Sequence, residues 1–215
     1  MRPARSFAKL LHMAARRLVR LKARATVALS PGTSKSDRDK QFGFVVIEAQ
    51  NLWGNFVRSY LLSLLAMPKR SKGGRVRLGN KSVLTPGDVV HVAAKAVRGP
   101  TASAPTTRRE EPAWHDINVL VKACGALQPS HQTDVYAALS LQSRAFSDLP
   151  TFRNFYAHRN EESAQKAIQL ARRQYLITGA GHPTEALSLP AIKRPQALLL
   201  DWLDEMQAVM ELLCE

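Results

Sequence analysis

The sequence predicts an all-α fold, a helical bundle interrupted by one basic segment. In most of the chain, apolar residues recur at intervals of three and four, as they do on one face of a helix. Gly and Pro are gathered in short stretches between these periodic segments, where they favour turns. The 215 residues, 45% of them hydrophobic, can bury one good core. We therefore expect a single domain, residues 1–215, with a basic insertion at 68–112.

The first helix is expected close to the amino terminus. Residues 1–36 contain several arginines and no acid, a composition that also suits an organellar transit peptide. Charges interrupt every apolar run, however, so we expect a helix retained in the folded protein. Pro31 to Lys40 is rich in turn residues and is expected to be a loop. The apolar positions of the helix share i, i+3/i+4 spacing: Phe7, Leu10, Leu11, Ala14, Leu18, Leu21, Ala25 and Ala28.

The strongest apolar segment runs from Phe42 to Met67 and stops before Pro68. Its length is near that of a membrane span, but it contains Glu48 and Arg58, and charged side chains are costly in lipid. We expect a core helix and no membrane partner. Its polar residues lie on one stripe of the helix: Glu48, Asn51, Asn55 and Arg58. This stripe is either the solvent-exposed side of the helix or one wall of an active site. In the second case, we expect Glu48 and Asn51 to support catalysis.

Residues 68–112 are basic and rich in Gly and Pro, so we interpret them as an insertion of irregular or mixed structure between core helices. Within it, Thr85 to Asp88 resembles a helix start and Gly99 a stop, which predicts a short helix over 86–98. The valines of this stretch make a strand the alternative. Gly73-Gly74 can turn a small hairpin, but it lacks the following Lys-Ser/Thr of a phosphate-binding loop.

The remainder reads as helices with short connections. Thr178 to Lys193 is expected to be a loop because it contains several Gly and Pro residues. Cys124 and Cys214 have no metal-ligand spacing, so we expect buried, reduced thiols in a cytoplasmic protein, without metal or cofactor. Five helices are predicted in this part of the chain. Four of them span 113–126, 132–146, 161–176 and 195–214, and Asn160 caps the third of these. The remaining helix begins at Ser147 to Pro150.

The charge distribution favours RNA as a partner. The net charge is +14, yet residues 1–109 carry +18 and residues 110–215 carry −4. Such a split predicts that a phosphate backbone lies on the basic half and binds with a salt-sensitive affinity. The alternative is an ordinary solvated surface. The residues that we expect to contact RNA come from three places in the chain: Lys69, Arg70, Lys72 and Arg75 in the insertion, Arg16 and Arg20 on the first helix, and Arg159.

The stretch Thr151 to Glu162 places Arg153 five residues before His158. Arginine is always charged and forks onto phosphate oxygens. Histidine side chains ordinarily titrate near pH 6.5 and therefore exchange protons close to neutrality. A phosphate clamp beside a general acid/base can cut RNA without a metal ion.

The string Arg153-Asn154-Phe155-Tyr156-Ala157-His158 resembles the R-N-x-x-x-H signature of the HEPN superfamily. The resemblance implies a helical bundle with this signature at the start of a late helix. It also implies a metal-independent endoribonuclease, often a toxin or phage-defence effector, although some members are inactive binding modules. Such nucleases pair two signature helices across a homodimer, and toxic members are often encoded beside a nucleotidyltransferase-like antitoxin.

Helix geometry supports the need for a second chain. On one helix, Arg153 and His158 lie about 140° apart, so they do not share a face. Asn154 and His158 are i, i+4 neighbours, which predicts that the amide orients the imidazole. We expect Tyr156 either to contact RNA or to lie in the core. The alternatives are a catalytically inactive RNA-binding or scaffolding protein and a basic helical subunit of a ribonucleoprotein. The first of these would take the lead if His158 were buried and bonded internally.

Overall fold

The computed structural model describes residues 4–141 and 143–215. Within these ranges the regular structure is helical, and extended segments pair only through isolated bridges, which confirms the all-α prediction. None of the described helices is long and apolar enough to cross a lipid bilayer. The helices are α1 (Phe7–Ala28), α2 (Lys35–Ser63), α3 (Pro86–Arg98), α4 (Ile117–Leu127), α5 (Gln132–Leu139), α6 (Ala145–His158), α7 (Glu161–Tyr175), α8 (Pro183–Ser188) and α9 (Leu198–Cys214).

The chain divides into two compact units. Unit 1 consists of Met1–Ala15, Leu52–Ser143 and Ala208–Glu215, and unit 2 of Arg16–Asn51 and Arg144–Gln207. Helices α1, α2 and α9 each contribute residues to both units. The apolar stripe predicted for α1 is confirmed, since seven of its eight positions are buried: Phe7, Leu10, Ala14, Leu18, Leu21, Ala25 and Ala28.

An aromatic cluster forms the centre of unit 1. Phe7 stacks on Tyr60 with ring centroids 4.8 Å apart, and Tyr60 approaches His131, its hydroxyl lying 2.6 Å from Nε2. Phe56 stacks on the other side of this cluster, 6.2 Å from Tyr60. Both cysteines are buried free thiols in unit 1, as predicted, and burial raises the pKa of each to about 12. These thiols therefore belong to the packed interior.

The segment 68–112 is more ordered than the sequence indicated. Its short helix over 86–98 is confirmed as α3, and Thr85 and Asp88 form the capping box that starts it, which excludes the strand alternative. Helix α3 packs against α4 and buries Val89, Val90 and two alanines. The expectation that this segment lies outside the core is thus wrong for α3. Residues 86–98 pack in the core because their apolar side chains recur on one helix face, although the residues on either side are rich in Gly and Pro.

The carboxyl-terminal part of the polar stripe on α2 has a structural role in unit 1. Arg58 binds Glu111 through two hydrogen bonds of 2.6 and 2.7 Å, and the indole of Trp114 donates to the same carboxylate. Burial tends to raise the pKa of Glu111, but the hydrogen bonds from Arg58 and Trp114 outweigh it, and the pKa lies below its ordinary value. Asn55 accepts a further bond from Arg108. The stripe here anchors the segment between α3 and α4.

Burial of His131 predicts a pH-dependent stability for unit 1. Burial and the nearby Arg70 lower the pKa of His131 to about 4. Because the unfolded chain takes up the proton first, stability should be full above about pH 6.5 and fall as the pH drops towards 4, by about 2–3 kcal/mol. His131→Gln, which keeps an acceptor for Tyr60, should remove that part of the decline in urea unfolding at pH 7 and pH 4. An identical pH dependence in both proteins would contradict this.

Three predicted boundaries are wrong for local reasons. The loop predicted to Lys40 ends earlier, because Ser34 Oγ accepts from the Asp37 N–H, 3.1 Å away, and starts α2 at Lys35. The loop predicted over Thr178 to Lys193 contains α8, which His182 caps by accepting from the Thr184 N–H. The helix predicted over 132–146 ends at Leu139 as α5, and Gln142 lies outside the described residues.

The core of unit 2 positions α6. Phe152 packs edge-on against Trp202, with centroids 5.3 Å apart. The Trp202 indole donates to the Tyr175 hydroxyl, which in turn donates to Asp148. This chain joins α9, α7 and α6. One turn after Phe152 on α6, Gly43 permits a close approach of α2, since a Cβ at this position would lie 2.9 Å from Tyr156 Cδ1.

Candidate active site

Helix α6 carries the R-N-x-x-x-H string and ends with it, so the position at the start of a helix that the resemblance implied is wrong for this chain. Its buried side includes Leu149, Phe152 and Phe155, whereas Asn154 and His158 are exposed. Arg159 takes a left-handed conformation with φ of 53°, and its N–H donates to the Phe155 carbonyl, which stops the helix directly after His158. The imidazole therefore stands at the end of a helix that is fixed from its other side.

His158 opens into a cavity of about 280 Å³ between α6 and the start of α7. Asn160 caps α7 by accepting from the Ser163 N–H, 2.8 Å away, and Glu162 pairs with Lys166 at 2.6 Å. The Lys166 hydrogen bond and charge lower the pKa of Glu162. A polar cavity of this size can hold a phosphate group and part of a ribose. The residues that line it all have polar side chains: Thr151, Asn154, His158, Asn160, Glu162, Ser163 and Lys166.

Arg153 does not line this cavity with His158. It is half-buried on another side of α6, as expected from the angle of about 140° between positions five residues apart. Across residues 4–141 and 143–215, no hydrogen bond or ion pair engages its guanidinium, and the same holds for the His158 ring. Both groups are therefore available to a ligand or a second chain. In particular, no ion pair joins Arg153 to Glu48 or Asp148 within these described ranges.

Asn154 shares the cavity with His158, but within the described chain no hydrogen bond joins the two side chains. The expectation that the amide orients the imidazole is thus not met in a single chain. Asn154 is exposed and retains its donors and acceptor for a ligand.

Two further residues of the predicted site have structural roles. Tyr156 is 5% exposed, its hydroxyl lies 2.8 Å from Thr184 Oγ1, and its ring packs edge-on against Phe155. It belongs to the core, which is one of the two predicted outcomes and leaves the ring no contact with RNA. Arg159 is ion-paired with Asp39, and its guanidinium lies 5.1 Å from the centroid of the Tyr156 ring. The predicted role of Arg159 in binding RNA is therefore unsupported, because the carboxylate already neutralises its charge.

Asp39 and Thr184 hold the end of α6, and no pattern in the sequence identifies either residue. Thr184 Oγ1 donates to Asp39 Oδ1 at 2.5 Å, and the other oxygen of this carboxylate accepts from Arg159. Burial tends to raise the pKa of Asp39, but the hydrogen bonds from Thr184 and Arg159 outweigh it, and the pKa lies below its ordinary value. No local spacing identifies this network, since Asp39 and Arg159 are 120 positions apart.

Glu48 and Asn51 lie elsewhere in unit 2. Glu48 is 3.9 Å from Arg17 and accepts a hydrogen bond from Asn51. Neither residue lines the cavity of His158. Their predicted support of the catalytic pair is thus not found in the described chain, and this part of the stripe binds an arginine of α1 at the surface.

The residues predicted to bind RNA fall into two groups, those that form an ion pair with an acidic side chain and those that do not. Arg70 pairs with Asp134 at 2.6 Å, and Lys72 pairs with the Glu215 carboxylate. Over the ranges that the structure describes, no acidic side chain pairs with the others, which are all exposed: Lys69, Arg75, Arg16 and Arg20. Among the predicted residues, these four keep their positive charge available to a polyanion.

In the described ranges, no group of three His, Cys, Asp or Glu side chains is placed to hold a metal ion. Comparisons of the chain with protein-family models, with curated proteins and with solved structures found no match.

Proposed function

We propose that this protein is a metal-independent endoribonuclease of the HEPN type that cuts single-stranded RNA in the cytoplasm, as a toxin or phage-defence effector. One observation carries the proposal. The resemblance places catalysis on Arg153 and His158, and both side chains are without partners among the described residues. Groups kept for structure are usually bonded internally, whereas catalytic groups must remain free to meet substrate.

The reaction proposed is an internal transfer within RNA. The 2′-oxygen attacks the adjacent phosphorus and the bond from phosphorus to the 5′-oxygen breaks. His158 either takes the proton of the 2′-hydroxyl or protonates the leaving 5′-oxygen, and a water molecule carries the other proton transfer. Arg153 neutralises the charge that develops on the phosphate oxygens. Acid/base help contributes about 10²–10⁴-fold and a positioned donor about 10²–10³-fold.

A homodimer brings Arg153 of one chain to face His158 of the other. The exposed side of α6 contains Asn154, Ala157 and His158, and an isologous two-fold contact would place it against its copy. Phe155 and Tyr156 are buried within the chain, so they supply no apolar contact area to this interface. The proposed interface therefore consists of the polar side chains of Asn154 and His158 around the small side chain of Ala157. An antitoxin or other defence partner would mask the same face.

A second function is favoured by the separation of Arg153 and His158 within one chain. A catalytically inactive RNA-binding or scaffolding protein, or a basic subunit of a ribonucleoprotein, needs no composite site. The net charge of +14 serves it equally well.

The ends of the products test the proposed reaction. Labelled single-stranded RNA incubated in EDTA should be cut to a 2′,3′-cyclic phosphate and a 5′-hydroxyl, because the attacking group is the RNA's own 2′-oxygen. DNA of the same sequence lacks that nucleophile and should bind without being cut. Mass spectrometry of the fragments distinguishes these ends from the 3′-hydroxyl and 5′-phosphate that attack by water can leave. Fragments with the latter ends, or cleavage that stops in EDTA, would reject the proposal.

A further inference from the structure

Three short segments of unit 1 lie side by side at Ser6, Lys69 and Arg75. The first contact is a parallel bridge between Ser6 and Lys69. The Lys69 N–H donates to the Arg5 carbonyl at 3.1 Å, and the Phe7 N–H donates to the Lys69 carbonyl at 3.0 Å. Residues that are paired in this way point their side chains to the same face. The Ser6 hydroxyl therefore lies on the face that carries the Lys69 ammonium group.

The second contact is an antiparallel bridge between Lys69 and Arg75. The Arg70 N–H donates to the Gly74 carbonyl, and the Val76 N–H donates to the Pro68 carbonyl. These bonds flank the Lys69 and Arg75 pair, so it is of the non-hydrogen-bonded type. That type brings opposite side chains closest, with Cα atoms about 4.5 Å apart.

Two like charges directly opposite each other destabilise such a pair. In the described ranges, no carboxylate pairs with Lys69 or Arg75, and both are exposed. Arg75 donates one bond to the Met67 carbonyl at 3.2 Å, which leaves further guanidinium donors free. By contrast, the adjacent Arg70 and Lys72 are each neutralised by an acid. The positive charges of Lys69 and Arg75 therefore repel each other without a nearby acid among the described residues, whereas those of Arg70 and Lys72 are neutralised. This difference indicates that an external anion binds between Lys69 and Arg75.

We infer that Ser6, Lys69 and Arg75 form a phosphate-binding site for the sugar–phosphate backbone of RNA. The guanidinium fork matches two phosphate oxygens, the ammonium adds a point charge, and the hydroxyl donates a third bond. Such contacts position a nucleic acid without reading its sequence. The inference rests on the proposed function for the identity of the anion as RNA, whereas the site itself involves none of the residues around His158.

Two double substitutions with the same change of charge test the site. Lys69→Gln with Arg75→Gln removes the free pair, and Arg70→Gln with Lys72→Gln removes two cations that acids already neutralise. The probe is a fluorescent single-stranded DNA 12-mer, which carries the phosphates and is not cut. In anisotropy titrations at several salt concentrations, the first variant should bind about tenfold more weakly and lose about 0.7 from its salt slope. The second should change by less than twofold.

Thermal unfolding separates loss of the site from loss of the fold. The Lys69/Arg75 variant relieves repulsion, so its Tm should stay equal or rise while its affinity falls. Ser6→Ala, which alters no charge, should weaken binding two- to threefold with an unchanged salt slope. Equal weakening in both double variants would show diffuse attraction and overturn the site, as would unchanged binding by the Lys69/Arg75 variant.

RNA cleavage keeps the two proposals distinguishable. The Lys69/Arg75 variant should raise KM and leave kcat unchanged, because these residues hold RNA and do not touch the reacting atoms. If the wild-type protein binds the DNA probe with the predicted contrast and cuts no RNA, the phosphate site stands and the proposed nuclease function fails. If RNA is cut and the contrast is missing, the site fails alone.

Discussion

His158→Ala and Arg153→Ala should each reduce RNA cleavage by at least 10²-fold, because each removes a group that acts only in the transition state. His158 is exposed and Arg153 is half-buried, and neither side chain makes a hydrogen bond within the described residues. Both variants should therefore keep the helical content of the wild type and lose little stability. Single-turnover cleavage of a labelled RNA measures the loss, and circular dichroism checks the fold.

Matched substitutions elsewhere control for the loss of a basic side chain. His12 on α1 and Arg173 on α7 are exposed, and no partner is found for either among the described residues. His12→Ala and Arg173→Ala should cleave RNA within about twofold of the wild type, since they lie outside the signature. Full activity in either signature variant would remove that residue from the mechanism.

The second large effect should appear on dilution. If an active cleft needs two chains, activity per chain should be constant above the dimer dissociation constant and fall in proportion to concentration below it. Far below that constant, total activity should fall with the square of the protein concentration. Sedimentation velocity over the same range should show the dimer dissociating. Constant activity per chain through a monomeric range would contradict a composite site.

The sequence predicted the helices wherever a local pattern sufficed. The apolar stripe of α1 and the capping box of Thr85 and Asp88 each depend only on residues that are close in sequence, and both are confirmed. The start of α2 was not predicted because Ser34 and Asp37 lie among turn-forming residues, and such a composition is as typical of a loop as of a helix cap. Helix α8 was missed because its proline begins a helix as readily as it ends one.

The surroundings of the signature could not be predicted in the same way. Tyr156 and Arg159 owe their roles to Thr184 and Asp39, which are remote in sequence and meet them only in the folded chain. Likewise, Arg70 and Arg75 look equivalent in sequence. Only the fold shows that Asp134 neutralises the first and that Lys69 opposes the second. Spacing within one helix, by contrast, correctly placed Arg153 and His158 on different sides of α6.

Mixing the two inactive variants tests the composite site most directly. Arg153→Ala and His158→Ala chains each lack one member of the pair, so neither homodimer holds a complete site. In a heterodimer, His158 of one chain faces the partner's Arg153, and one of the two composite pairs is intact. When the chains are co-expressed in equal amounts, half of the dimers are heterodimers, and cleavage should return to about one quarter of the wild-type activity. If native mass spectrometry shows heterodimers and the mixture stays as inactive as either variant alone, the composite site is contradicted.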